Sequence, residues 1–223
     1  MADAKKGDSF MRQNRTKKLF AAVLSGLLVL SFVGCGQTAK LPEVVTNTSL
    51  VVEKDGKVTS YLINTFEKDF YSLDGLKDMV TKEAEEFNAT HKDSTDGTEE
   101  PMTVKEVQLL ETGATVQVVQ EFDSADSYAE YNEQDLFYGT RVEALAEGRS
   151  VDLELVNASD GTPADQEKLE KALEKNHLII TTASAYIYCP YPVLYVSEGV
   201  VMGPDGYVDA SQSDGIVTIL MKK

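Results

Sequence analysis

Ser49-Leu50-Val51-Val52-Glu53-Lys54-Asp55-Gly56-Lys57-Val58-Thr59-Ser60-Tyr61-Leu62-Ile63 decides how the fold is read. Two β-rich runs, 49–52 and 58–63, flank Asp55-Gly56, a pair suited to the positive backbone angles of a tight hairpin turn. Strands joined this closely pair antiparallel, because a parallel neighbour needs a crossover of about a dozen residues or more. A doubly wound parallel fold is therefore the less favoured reading.

Working outward, the chain alternates hairpins and short helices. Leu73, Leu76, Val80, Ala84 and Phe87 recur at three- and four-residue steps, predicting a helix over about 73–88 that Ser72 caps. Thr103 to Leu110 and Ala114 to Phe122 read as a second hairpin around Glu111-Thr112-Gly113. Asp123 or Ser124 opens a short helix to about Asn132; Leu136 to Tyr138 reads as a strand, then a helical turn runs from Thr140 to Gly148, and Val151 to Leu155 is a strand. Thr162-Pro163-Ala164-Asp165 has the form of a helix start, with Leu169, Ala172 and Leu173 on the buried side. Beyond it come six short apolar or alternating runs: 178–182, 186–188, 193–196, 200–201, 207–208 and 216–221. The last is apolar enough to be central in a sheet. The pattern predicts an α+β protein, with mainly antiparallel sheet built from hairpins and about three helices packed on one face. One globular domain is expected over residues 47–223, with the strand-rich part from about residue 163 as a candidate subdomain.

Ahead of this domain, Arg12, Arg15, Lys17 and Lys18 precede the apolar run Leu19 to Val33, which leads into Gly34-Cys35-Gly36. About fifteen apolar residues at about 1.5 Å each fall short of a ~30 Å hydrocarbon layer, so the run reads as an export signal rather than a permanent span. Asp3 and Asp8 are atypical of such a signal, and Met11 makes the better start. Phe32-Val33-Gly34-Cys35 resembles the lipobox of bacterial lipoproteins, with Phe32 where Leu is usual. That resemblance implies cleavage after Gly34, a diacylglycerol thioether on Cys35 with palmitate-type chains, and a location on the outer face of the cell membrane. Residues 35–46 would be the tether, and two acyl chains anchor stably where one holds only marginally. The basic signal, the Gly-Cys-Gly step, the acidic domain and the strand-rich end together resemble small lipoproteins of Gram-positive bacteria, a likeness that assigns no activity.

From residue 35 onward the chain holds 15 of the 21 Lys and Arg and 35 of the 37 Asp and Glu, a net charge of −20. Such a surface repels nucleic acid and anionic headgroups, and no nucleic-acid partner is expected. With Cys35 acylated, only Cys189 remains; it sits in the aromatic run 186–191 and is expected to be buried and inert. His91 and His177 belong to no metal-ligand spacing, and in the polar loop 91–101 Lys92 and Ser94 stand where a calcium loop needs carboxylates. No metal or cofactor is expected. His177, after a helix end, is explained by a favourable dipole contact when protonated. There is no G-x-S-x-G elbow and no glycine-rich phosphate loop.

The residues proposed for binding are aromatic: Tyr186, Tyr188, Tyr191 and Tyr195 first, then Phe137 and Tyr138. The competing structural reading places them on a sheet face packed under a helix. The expected function is a membrane-anchored, non-enzymatic binding or scaffolding module for an envelope protein or a small ligand. The alternatives are an envelope-polymer hydrolase using a carboxylate pair and, lower, a solute-binding protein of a transporter.

Overall fold

The computed structural model describes residues 39–91, 100–110, 113–151 and 154–223. The signal and lipobox with Cys35, residues 92–99 of the acidic loop, Glu111-Thr112 and part of the run 151–155 lie outside the described residues.

The opening hairpin forms as read. β1 (Ser49–Val52) and β2 (Val58–Thr65) pair antiparallel down to Val52 against Val58, and Gly56 takes φ 93° in the turn. β3 (Met102–Leu109) and β4 (Thr115–Phe122) make the second hairpin, and β4 joins β2 along all eight residues. Between the hairpins runs α1 (Leu73–Thr90), whose first turn is capped by the Ser72 hydroxyl accepting from Gly75 N at 3.1 Å. α2 (Ala125–Asn132) is capped by Ser124, and β5 (Leu136–Thr140) runs into α3 (Arg141–Ala146), where Thr140 and Glu143 form a reciprocal capping box.

The fold class departs from the α+β expectation of helices on one face of hairpin sheets. Among the described residues there are twelve strands in two sheets of seven and five, with four helices. The remaining strands are β6 (Leu155–Asn157), β7 (His177–Thr181), β8 (Tyr186–Tyr188), β9 (Val193–Ser197), β10 (Val201–Met202), β11 (Val208–Asp209) and β12 (Val217–Met221); the fourth helix is α4 (Gln166–Leu173). The seven-stranded order is β10-β11-β8-β1-β2-β4-β3, and the five-stranded order is β5-β7-β12-β9-β6. The strands after residue 177 divide between both sheets. β8 lies parallel to β1, Ser49 opposite Tyr186, a pairing that no local pattern encodes.

The cause is two-sided burial. β12 is buried at all five positions and sits between β7 and β9. Its Ile219 and Met221 join Leu50, Ile187, Val208 and Phe122 of the large sheet in one core, while its Leu220 faces Phe137, Leu178, Ala144 of α3 and Leu169 of α4 on the other side. The small sheet is thus a middle layer. α1 packs instead on the large sheet, Val80 against Val107, Val116 and Val118. Helices therefore serve two different faces.

The helix expected from Thr162 starts later. Asp165 is the cap, because Thr162 and Pro163 are held against β6: Asn157 N donates to Thr162 O at 2.8 Å and Val156 bridges Pro163. The described part of the supposed tether is laid onto the fold. Lys40 N donates to Asp205 O at 3.3 Å, and Val45 is buried with its carbonyl accepting from Gln117 Nε2 at 2.9 Å. Thr48 O then accepts from Tyr186 N at 3.0 Å. Gln117 alternates with the core-facing Val116 and Val118, so this strap covers the outer face of the large sheet.

Candidate functional site

The proposed aromatic residues are not brought together; they separate into three places. Tyr138 and Tyr191 meet at the β1–β2 turn. Tyr138 points off β5 opposite to Phe137, and its hydroxyl donates to Lys54 O at 3.4 Å. Its ring lies 5.3 Å from that of His177, which lies 6.2 Å from that of Tyr191. The Lys54 ammonium stands 5.3 Å over the Tyr191 ring, a cation–π distance. Burial first, then the neighbouring Tyr191, Asp55 and Cys189, push the Tyr138 phenol well above its ordinary range, so it stays a donor.

His177, the first residue of β7, departs from the protonated dipole contact expected of it. Its Nε2 accepts from the Lys223 ammonium at 2.7 Å, and its Nδ1 is buried without a partner. Burial and then the Lys223 charge hold its pKa below the usual imidazole value, against an opposing pull from Glu143, so the neutral ring is favoured. Glu143 is itself held below the carboxylate range by hydrogen bonds from the Thr140 backbone and hydroxyl, both 2.7 Å. Sequence reasoning missed His177 and Lys223 as neighbours, since only the β7–β12 register brings Met221 opposite His177.

The second place is the β8–β11 face. Tyr186 stacks on Tyr207 with centroids 4.5 Å apart and planes 19° off parallel, and Tyr188 tilts against the same ring at 5.5 Å. A Cβ at Gly203 would overlap the Tyr207 ring, so glycine is required for the stack. Tyr186 and Tyr188 do share a face, but a tyrosine from the adjoining turn covers them rather than a helix. The third place is structural: Phe137 is buried, with the Arg149 guanidinium 5.3 Å from its ring, and Tyr195 packs half-buried against the same cluster.

Cys189 is buried beneath the Tyr138–Tyr191 group, and desolvation pushes its thiol up to about 12, leaving little thiolate for attack near neutral pH. His91 stacks on Phe87 at 4.0 Å and pairs through Nε2 with Glu130 at 2.9 Å. A groove of about 610 Å³ between α1 and β3 is lined by Lys77, Glu85, Asn88, Glu100, Lys105 and Glu106 together with apolar residues. Among the described residues no group of three or more His, Cys, Asp or Glu is placed to hold a metal ion, and no helix is long and apolar enough to cross a membrane.

The three places differ in what they can do. The first places the Lys54 and Lys223 ammonium groups beside two tyrosine rings and a neutral imidazole, and the Tyr138 hydroxyl is already committed to Lys54 O. It lacks a paired nucleophile and base. The chain matches no protein-family model, no curated protein and no solved structure.

Proposed function

We propose that this protein is a lipid-anchored extracytoplasmic module that binds an envelope component rather than transforming one. The observation that carries the reading is the basic and apolar run ending at Gly34-Cys35, only four residues before Ala39, where the described chain begins. The engagement of the described thiol and of both histidines supports binding over chemistry: the Cys189 thiol is buried, His177 accepts from Lys223, and His91 is tied to Glu130 and the Phe87 carbonyl. Feeding cells a clickable fatty acid tests the anchor. Wild type is expected to take up the label and fractionate with membranes; Cys35→Ser is expected to lose the label and leave the membrane while keeping its circular dichroism. Equal labelling of both proteins, or a cytosolic wild type with its leader intact, overturns the proposal.

A further inference from the structure

The register of both sheets brings five lysines to one end of the molecule. Val52 against Val58 closes the β1–β2 turn, which carries Lys54 and Lys57. β8 runs parallel to β1 and β11 antiparallel to β8, so the β10–β11 turn with Asp205 and Gly206 lies at the same end. The strap begins there: Lys40 N bonds Asp205 O, and Ala39 Cα would lie 3.6 Å from a Cβ on Gly206. The C-terminus closes the group, with Lys222 N bonded to Pro192 O at 2.8 Å and the Lys223 ammonium on His177, whose neighbour Tyr191 lies under Lys54.

Lys40, Lys54, Lys57, Lys222 and Lys223 are a third of the 15 Lys and Arg that follow residue 34. They stand among Glu53, Asp55, Glu100, Glu121, Asp123, Glu143 and Asp205, five lysines to seven carboxylates, where the chain from residue 35 has 15 cations to 35 anions. This end is therefore less acidic than the protein as a whole, and an anionic surface repels it less than that average. Tyr138 and Tyr191, each with an apolar body and a polar tip, sit between these lysines, as aromatic side chains do at the headgroup level.

Chain length adds an independent constraint. Four Cα steps from Cys35 to Ala39 span at most about 14 Å at ~3.6 Å each. An acyl chain on Cys35 therefore keeps Ala39, which lies against the β10–β11 turn, within about 14 Å of the Cys35 Cα. We infer that the end of the molecule formed by the β1–β2 turn, the β10–β11 turn and the C-terminus rests on phospholipid headgroups, its lysines meeting lipid phosphates, and that the opposite end points away from the bilayer. This rests on the anchor proposed above and adds a surface and a lipid partner to it.

The test uses acylated protein reconstituted in vesicles with a quencher attached to the lipid headgroup. A fluorophore is placed by Asp205→Cys at the inferred contact or by Ile216→Cys at the far end, where Ile216 is exposed just before the β12 start opposite Thr181; buried Cys189 stays unlabelled. At least threefold stronger quenching at 205 than at 216 is expected. Replacing part of a phosphatidylcholine bilayer by phosphatidylglycerol should strengthen quenching at 205, and Lys57→Glu with Lys222→Glu should abolish that gain. Equal quenching at the two positions overturns the orientation, and a response blind to lipid charge or to the lysine reversals overturns the role of the lysines. Protein that lacks acyl chains and never joins the vesicles overturns the anchor instead, so the two failures are distinct.

Discussion

His177 and His91 answer acid in opposite directions. The His177 pKa is lowered in the fold, by burial and then by Lys223, so the unfolded chain binds the proton more readily. Its effect is a loss of stability as pH falls below about 6.5, the unfolded value. The His91 pKa is raised, by the Phe87 carbonyl first and then by Glu130, so its contribution is present below about 6.5 and is lost as pH rises through the higher folded value. Urea midpoints between pH 5 and 7 should therefore fall less on acidification in His177→Gln than in wild type, and more in His91→Gln. Identical slopes in all three proteins would refute both assignments. Neither behaviour was legible in sequence: the Lys223 partner of His177 arrives through sheet register, and Glu130 reaches His91 from a different helix.

Elements in this chain are locally specified, but their joints are not. Ser72, Ser124, Thr140 and the Asp55-Gly56 turn mark real boundaries because caps and turns are short-range chemistry. The α1 stripe was equally legible, yet the residue that fixes the helix to its strand is polar. Asn88, buried next to that stripe, donates to Met102 O at 2.8 Å and accepts from Met102 N at 2.9 Å, acting as a substitute strand for the start of β3. No hydrophobic period flags such a residue. Asn88→Ala leaves both backbone groups of Met102 unpaired and should destabilise by about 1–3 kcal/mol, read from chemical denaturation. Asn88→Asp, which keeps the acceptor but not the donor, should fall between the two; an alanine variant as stable as wild type would remove the joint.

At the scale of the whole molecule, the two sheets share one core. Ile219 of β12 is fully buried against residues of the large sheet, and truncating it to Ala should cost about 2–5 kcal/mol. Because the core is common, probes in either sheet should report the same midpoint and shift together; two separate transitions would show the layers to be independent. Sequence patterning identified most strands but sorted them wrongly into hairpin sheets under helices. The aromatic candidates were scattered for the same reason: a one-residue alternation sends Phe137 into a core and Tyr138 to the β1–β2 turn. The parallel seam between β1 and β8 has a last consequence, for synthesis. As a nascent chain leaves the ribosome, the backbone edge of residues 49–52 stays bare until residue 188 has emerged. So long a wait slows folding and leaves an open strand edge exposed to wrong partners, which makes a holding chaperone valuable to this polypeptide until β8 has been made.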